Sequence, residues 1–412
     1  MKKIILTLHL VLFIAVGLTS CSDDAYDAEK VTQQTLLVYM PWTGNASSSN
    51  SGLYPYFLNN IDSMEAGIKA AKGLGTTRRV LVLLSKSATN SQLFEIKYEN
   101  GSCTHHPIKD YTNLDFSSSA GITEVLNEVK TQAQALNYAL VIGGHGTGWT
   151  MKEDWQNYPY NAKKRHVYGK TSDSAYPFRF TDTRFMGSVT DPNYSINIPD
   201  IASAIAATGL KMQYILFDDC YMANAEVAYE LRNVTNYLIA STSEVIIIGM
   251  PYASMWSNLS SATPGYSAIV SAFHNFYSKY TVPCGALSVI DCREMETLAG
   301  IMKEINAGYT LDETLRDSIQ VLDGFNQPIF YDMTSYVKNL KPSTSLLSKY
   351  TTQMGKVIKS TQSTETLYSN LYNSPVYITV KSYSGITISD PSNNTAALKQ
   401  RKDKLVESYS LS

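Results

Sequence analysis

The sequence of 412 residues predicts an α/β fold, in which a mostly parallel central sheet lies between two layers of helices and is followed by a mainly helical C-terminal region. From residue 35 to about residue 290, short apolar runs alternate with segments that carry apolar residues at helical spacing. Several runs are apolar throughout, as expected for strands that are covered on both faces. Strands that alternate with helices form a parallel sheet, because each helix returns the chain to the same end of the sheet.

Each element follows from its local pattern. The predicted elements in chain order are a strand over 35–40, a helix over 56–71, a strand over 79–85, an edge or hairpin strand over 93–98, a helix over 120–136, a strand over 138–142, a helix over 198–208, a strand over 214–217, a helix over 222–231, a strand over 237–241, a helix over 266–280 and a strand over 286–290. The C-terminal region is predicted to contain helices over 295–307, 311–321, 333–340 and 346–360, a strand over 376–381 and a terminal helix.

Some segments between these elements carry no clear pattern. His105 and His106 are predicted to lie in a polar loop, and no further ligands at metal-binding spacing accompany them, so no metal site is predicted there. Residues 149–199 form a long segment that is rich in Tyr, Pro, Gly, Asp and basic residues. Loops of this length inside a compact domain are usually functional.

The first residues predict a targeting segment. Lys2 and Lys3 precede an apolar run over 4–18, which is shorter than the roughly 20 residues that a membrane span needs. Small residues then lead to Cys21 in a pattern similar to a bacterial lipobox, so we expect cleavage before Cys21 and lipidation of its sulfur. The alternative is an ordinary signal peptide with a chance cysteine.

These observations divide the chain into four parts. The predicted parts are a lipoprotein signal peptide (1–20), a polar tether (21–34), the main α/β domain (35–291) and the mainly helical C-terminal region (292–412). We expect a monomer that is anchored by lipid at Cys21 in a bacterial outer membrane or at the cell surface, facing either the periplasm or the outside.

Charge and cysteine content exclude some classes of protein. Removal of residues 1–20 leaves 32 basic against 36 acidic side chains, a net charge of about −4, which argues against nucleic-acid binding. Four cysteines follow Cys21, and no essential disulfide framework is expected among them.

Two strand ends carry reactive side chains. The run over 214–217 leads into Asp218, Asp219 and Cys220, and a helix is predicted to follow directly from Met222. The run over 138–142 leads to His145, which has glycines on both sides. Because ligands bind beyond the carboxyl ends of parallel strands, a histidine and a cysteine would meet at one rim, as thiol catalysis requires. Individually, a buried cysteine is more often inert and a lone histidine more often structural.

These residues resemble the clostripain family of cysteine peptidases, whose fold is a caspase-like αβα sandwich. The matching features are the strand into His145 and Gly146, the strand into Asp218 and Cys220, and the segment from Ser243 and Glu244 to the Gly-x-Pro-Tyr sequence over 249–252. The resemblance covers about residues 35–290.

The resemblance implies a cysteine endopeptidase that acts on peptide or protein substrates through an acyl-enzyme. It assigns Cys220 as the nucleophile and His145 as the general acid/base. It assigns the backbone N–H groups of Gly146 and Cys220 as oxyanion donors, and Asp218, Ser243 and Glu244 as substrate-binding residues. No metal is needed for bond cleavage, and calcium stays open as a cofactor because some relatives use it.

The side chain that the enzyme prefers before the scissile bond, at P1, stays open at this point. Asp218 lies two residues before Cys220, so both side chains point the same way along a strand and Asp218 suits an Arg or Lys at P1. Asp218 or Asp219 could instead cap the following helix. The apolar segment 245–248 lacks the second acid of Arg/Lys-specific members, which leaves a less basic or apolar P1 residue open.

A catalytically silent surface lipoprotein, which binds peptide or glycan on a peptidase-like scaffold, is the alternative to a peptidase. The same apolar segment and the missing second acid motivate it. A serine hydrolase is disfavoured because the Gly-x-Ser-x-Gly elbow is absent from the sequence.

Overall fold

The computed structural model describes residues 31–45, 52–152, 186–188, 191–370, 375–394 and 397–398. Several predicted segments lie outside the described residues. They are the signal peptide over 1–20, the lipidation site Cys21, most of the long segment over 149–199 and the terminal helix beyond residue 398. From Thr32 onward the chain forms one compact unit.

A nine-stranded sheet forms the centre of this unit, and its middle is parallel. The parallel strands, in spatial order, are β9 (Thr235–Ala240), β8 (Met212–Asp218), β5 (Asn137–Gly143), β1 (Gln34–Met40) and β2 (Arg78–Ser87). Every residue of β1 is buried, because helices cover both faces of the sheet. The predicted α/β fold with a mostly parallel central sheet is confirmed.

Antiparallel strands extend the sheet on both sides. Next to β2 lie β3 (Asn90–Glu99) and β4 (Ser102–Thr112), and next to β9 lie β10 (Ala286–Asp291) and β12 (Ile358–Ser363). The prediction of a loop at His105 and His106 is wrong, because both residues lie in β4. Apart from the buried Tyr111, the residues of this edge strand are exposed or half-buried, so it carries no apolar alternation, and Pro107 is tolerated beside an irregularity of register at Phe94.

The larger helices form two groups that pack among themselves. The first group contains α1 (Tyr54–Ala70), α5 (Tyr252–Leu259) and α6 (Tyr266–Tyr277). The second group contains α2 (Ser119–Gln132), α3 (Ile198–Ala207), α4 (Ala225–Leu231), α7 (Met295–Gly308) and α9 (Thr344–Val357). The apolar positions that predicted α1 and α2 are the residues that these helices bury. Among the described residues, none of the helices is both long and apolar enough to cross a membrane.

The C-terminal region combines helices with short strands. Besides α7 and α9 it contains α8 (Met333–Asn339), β11 (Tyr331–Asp332), β13 (Thr366–Ser369), β14 (Val376–Thr379) and β15 (Thr387–Ile388). The helix predicted over 311–321 is only a short 3-10 helix, Glu313–Ser318, because its residues are too polar to bury a face. The helix predicted over 346–360 ends at Val357, and β12 follows it into the main sheet. The boundary at residue 292 stays a prediction.

Two short strands, β6 (Met186–Gly187) and β7 (Ser195–Ile196), form a small antiparallel ladder just before α3. Gly187 has φ +119° and lies against the backbone of Tyr194, so a side chain at this position would clash. The carbonyl of Gly187 accepts a hydrogen bond from the backbone N–H of His145 at 3.4 Å. This ladder therefore holds the loop that follows β5.

Candidate active site

The register of β5 and β8 brings the two predicted reactive residues to one edge of the sheet. These strands are parallel neighbours, and Gly143 is the partner of Asp218 at their carboxyl ends. His145 and Cys220 each follow two residues later. Both residues line the same cleft, which encloses about 660 Å³ including space open to solvent.

The backbones of the two loops are also in direct contact. A Cβ atom added to Gly146 would lie 2.5 Å from the carbonyl oxygen of Cys220 and 3.1 Å from its nitrogen. Only glycine allows this approach, which explains why glycine follows the histidine. The backbone N–H groups predicted as oxyanion donors, those of Gly146 and Cys220, therefore belong to adjoining segments.

Cys220 lies in a turn between β8 and α4 and not at a helix N-terminus. The expectation that a helix begins at Met222 is wrong, because α4 begins at Ala225 and is capped by Asn224, whose Oδ1 accepts from the N–H of Val227 at 2.9 Å. The alternative role of Asp218 or Asp219 as the helix cap is excluded for the same reason. Thiolate stabilisation by the helix dipole weakens within one turn, and Cys220 lies five residues before the first residue of α4.

The immediate neighbour of the thiol is Val245, in the segment that follows β9. The backbone N–H of Val245 donates to Sγ of Cys220 at 3.2 Å, and Sγ lies 3.6 Å from the carbonyl oxygen of the same residue. Cys220 is 3% exposed and His145 is 9% exposed. The thiol therefore lies at the bottom of the cleft beside a backbone amide that faces the sulfur.

Asp218 lies in the wall of the cleft and is held in place by two side chains. Its Oδ2 accepts from the hydroxyl of Tyr252 at 2.8 Å and from Nδ2 of Asn60 at 3.2 Å. Its Oδ1 is buried and has no hydrogen-bond partner among the described residues. Burial raises the pKa of Asp218 to about 6, opposed by the hydrogen bonds from Tyr252 and from the backbone of Met250.

Asp219 also lines the cleft, and its carboxyl group is fully buried opposite Gly144. Burial raises its pKa well above the ordinary range, and the nearby Asp218 raises it further, while the backbone of Gly144 opposes the shift. Both carboxyl groups are therefore hard to ionise, and a cation near them would favour their ionised forms.

Ser243 and Glu244, predicted to bind substrate, are engaged by the protein itself. Ser243 is buried, and its carbonyl accepts from the backbone N–H of Tyr221 at 3.0 Å. Glu244 lines the cleft, while its carboxylate accepts from the hydroxyl of Tyr221 at 2.8 Å, from the backbone N–H of Asn370 at 3.1 Å and from the hydroxyl of Ser369.

Most residues that line the cleft were not predicted as site residues, and neither was Tyr252, which binds Asp218 in its wall. Asn60 comes from α1 and Tyr368 from β13, and no sequence pattern connects either residue with the strand ends. Gly249 and Tyr252 belong to the Gly-x-Pro-Tyr sequence, which could have indicated them. Gly249 has φ +71°, and a Cβ atom there would lie 2.7 Å from Oδ2 of Asp218, so the carboxyl group occupies the space that glycine leaves.

Within the part of the chain that the structure describes, no group of three or more His, Cys, Asp or Glu side chains is arranged to hold a metal ion. Within the described ranges, Cys103, Cys220, Cys284 and Cys292 form no disulfide bond with one another.

Comparison with known proteins identifies the family. The model of the clostripain family, Peptidase_C11, matches residues 173–408, a range that includes Cys220 and begins after His145. The chain belongs to the clostripain family. Its members are cysteine peptidases, so this chain is a cysteine peptidase with the caspase-like fold. No curated protein sequence matches the chain.

Solved structures extend the clostripain likeness to the N-terminal half. A secreted C11 cysteine protease of Bacteroides thetaiotaomicron, "iotapain", is 36% identical to this clostripain-family chain, with 92% of this chain and 99% of that chain covered and a TM-score of 0.80. A clostripain of the same species in complex with the peptide inhibitor BTN-VLTK-AOMK is 42% identical over 53% of this chain and 96% of that chain, with a TM-score of 0.51.

An inactive zymogen C11 protease of Parabacteroides distasonis is 21% identical over 92% of this chain and 99% of that chain, with a TM-score of 0.71. At that identity the likeness concerns the fold alone.

Proposed function

We propose that this clostripain-family peptidase is an endopeptidase whose nucleophile is Cys220 and whose general acid/base is His145. The observation that carries the proposal is the pairing of Gly143 with Asp218, since it puts both residues two positions beyond adjacent strand ends and in one cleft. Nucleophilic thiol catalysis needs a cysteine and a base within reach of each other.

The proposed reaction proceeds in two steps. His145 takes the proton of the Cys220 thiol, Sγ attacks the scissile carbonyl carbon, and the backbone N–H groups of Gly146 and Cys220 stabilise the oxyanion. His145 gives a proton to the leaving amine, which departs and leaves an acyl-enzyme. His145 then takes a proton from a water molecule, which attacks the thioester. The carbon–sulfur bond breaks, the new carboxylic acid leaves, and His145 returns the proton to Sγ.

We further propose that the P1 residue is Lys or Arg. The buried carboxyl group of Asp218 has an oxygen without a hydrogen-bond partner among the described residues, and Asp219 lines the same cleft. A cationic side chain would supply the missing partner and favour ionisation of the pair. The related clostripain binds the peptide inhibitor BTN-VLTK-AOMK, in which the peptide VLTK ends in Lys. This inhibitor supports a basic P1 residue here.

The experiment is cleavage-site profiling of a mixed peptide pool with the wild type, Cys220→Ala and Cys103→Ser. We expect cleavage after Lys and Arg by the wild type, a loss of at least about a thousandfold in rate for Cys220→Ala, and no change for Cys103→Ser, because Cys103 lies on β4 away from the cleft. Equal cleavage by Cys220→Ala would disprove the dyad. Binding of peptides without cleavage by the wild type would favour the silent binding protein.

We propose that the enzyme is a lipoprotein anchored at Cys21. The basic start, the short apolar run and the small residues before Cys21 support the anchor, and the related iotapain is described as secreted. We expect the full-length protein to enter the detergent phase on phase separation and Cys21→Ala to stay in the aqueous phase. Equal partition of the two proteins would exclude the anchor. Protease treatment of intact cells distinguishes an outward-facing from a periplasmic enzyme.

A further inference from the structure

The residue that follows the nucleophile has an unusual backbone conformation. Tyr221 has φ +63°, in the left-handed region that residues with a Cβ atom rarely adopt. Such conformations persist only where surrounding contacts hold them, and they cluster at functional sites. The position of the Cys220 thiol therefore depends on whatever holds Tyr221.

Packing and backbone hydrogen bonds hold Tyr221 from three sides. Its ring is fully buried and stacks on Phe330, with 4.6 Å between ring centroids and an angle of 7° between planes. Its backbone N–H donates to the carbonyl of Ser243 at 3.0 Å, and its carbonyl accepts from Nδ2 of Asn224 at 2.9 Å. Phe330 is itself fixed by Asp323, whose Oδ2 accepts from its backbone N–H at 2.7 Å.

The hydroxyl of Tyr221 adds a fourth contact, which leads to the C-terminal region. It donates to Oε1 of Glu244 at 2.8 Å, and Glu244 in turn accepts from Ser369 and from the backbone N–H of Asn370. Burial, together with the charge of Glu244, raises the pKa of Tyr221 well above its ordinary value, so the hydroxyl stays protonated and donates at all physiological pH values.

Residues 219–224, which carry Cys220 between β8 and α4, are here called the nucleophile turn. Glu244 and its neighbour Val245 contact two sides of this turn. The side chain of Glu244 binds Tyr221, and the backbone N–H of Val245 faces Sγ of Cys220 at 3.2 Å. A shift of Glu244 would therefore move both the residue after the nucleophile and the amide beside its sulfur. Ser369 and Asn370, at the end of β13, fix the carboxylate from the other side.

We infer that Tyr221 is a positioning residue for the Cys220 thiol, and that Glu244, held by Ser369 and Asn370, connects the C-terminal region to the nucleophile turn. This inference rests on the proposed role of Cys220. It assigns to the β13 segment a part in catalysis, because small displacements of a reacting atom have large effects on rate.

The experiment compares Tyr221→Phe with Tyr350→Phe in the full chain. Each variant removes one hydroxyl from a fully buried tyrosine, and the Tyr350 hydroxyl contacts Thr334 at 3.0 Å, in α8 and away from the cleft. Ser369→Ala removes the hydroxyl contact of Glu244 at a second buried position. We measure kcat and KM from initial rates over a range of peptide concentrations that reaches saturation. We also measure the rate of iodoacetamide alkylation of Cys220 from pH 6 to pH 9.

We expect Tyr221→Phe to lower kcat about tenfold, with KM changed less than twofold and with slower alkylation of Cys220 across the pH range. Ser369→Ala should lower kcat about threefold, and Tyr350→Phe should leave kcat and the alkylation profile unchanged. The inference would be overturned if Ser369→Ala and Tyr221→Phe both kept the kcat and the alkylation rate of the wild type. If Tyr221→Phe failed to fold, wild-type values in Ser369→Ala alone would overturn it. Failure of the dyad itself is a separate result, since it appears as activity retained in Cys220→Ala.

Discussion

Gly143 and Asp218 are paired residues at the carboxyl ends of two adjacent parallel strands. Adjacent strands lie about 4.8 Å apart, so residues that follow a register pair by equal numbers leave the sheet side by side. His145 and Cys220 are such residues, although 75 positions separate them in the chain. The sheet itself is therefore the device that assembles the site.

Asp218→Asn should change the specificity of the enzyme. We expect kcat/KM for peptides with Lys or Arg at P1 to fall roughly 30-fold or more, because removal of one partner of a buried charge pair costs about 2–5 kcal/mol. Peptides with Leu at P1 should be cleaved at an unchanged or higher rate. Steady-state kinetics on a matched series of peptides that differ only at P1 measure this ratio. A ratio unaffected by the substitution would assign Asp218 to structure alone.

The cleavage of basic substrates should depend on pH through Asp218. Its pKa is raised to about 6, so the carboxylate that attracts a cation is mostly protonated at pH 5 and mostly ionised at pH 7. The kcat/KM for a Lys peptide, divided by that for a Leu peptide at the same pH, should rise about tenfold between these values. The division removes the titration of the catalytic groups, and Asp218→Asn should flatten the ratio.

The raised pKa of Asp218 should make the protein less stable as pH rises, although it makes the enzyme more selective for basic substrates over the same pH range. A carboxyl group with a raised pKa binds its proton more tightly in the folded state, so the unfolding free energy should fall as pH rises from about 4 to about 6, by up to about 3 kcal/mol for Asp218. Urea denaturation of the wild type and Asp218→Asn at both pH values isolates this contribution. Parallel pH dependences would contradict it.

Gly249→Ala should damage the cleft, while Gly300→Ala should stabilise the protein. A methyl group at position 249 would lie 2.7 Å from Oδ2 of Asp218 and would occupy a left-handed backbone position. We expect a loss of about 1–3 kcal/mol in stability and a raised KM for Lys peptides. Gly300 lies in α7 with open space around its Cα, so alanine there should add about 0.5–1 kcal/mol. Thermal unfolding and KM measurements separate the two, and tolerance of alanine at 249 would contradict the packing described.

Asn224→Ala should lower both stability and activity, in contrast to Ser118→Ala. Both residues cap helices, α4 and α2 respectively, and loss of a cap costs about 1 kcal/mol. Only Asn224 also binds the carbonyl of Tyr221, beside the nucleophile. We therefore expect similar decreases in melting temperature but a lower kcat for Asn224→Ala alone. Equal kcat values in the two variants would show that the cap does not affect the nucleophile turn.

The sequence predicts the central sheet well, because its strands are buried on both faces and read as continuous apolar runs. It also predicts the strand ends that carry His145 and Cys220, since a polar residue after such a run marks the edge of the sheet. Elements without buried faces were missed or misread. The exposed strand β4 resembled a loop, and the polar 3-10 helix Glu313–Ser318 resembled an amphipathic helix.

The surroundings of the site are less predictable than its centre. Asn60 is 158 residues from the carboxylate it binds, and Ser369 is 125 residues from Glu244. Contacts over such distances follow from tertiary packing and leave no local periodicity. The start of α4 was misplaced for a related reason, because the helix-forming composition begins at Met222, while the left-handed Tyr221 and the cap at Asn224 delay the helix to Ala225.

The order of strands in the main sheet has a consequence for a chain that is cut between Met151 and Met186. One fragment would carry β1 to β5 and the other would carry β8 to β12. The two fragments would stay associated through the backbone pairing of β5 with β8. The product would run as two bands on a denaturing gel and as a single peak in gel filtration. Histidine and cysteine would then belong to different polypeptides within one non-covalent heterodimer.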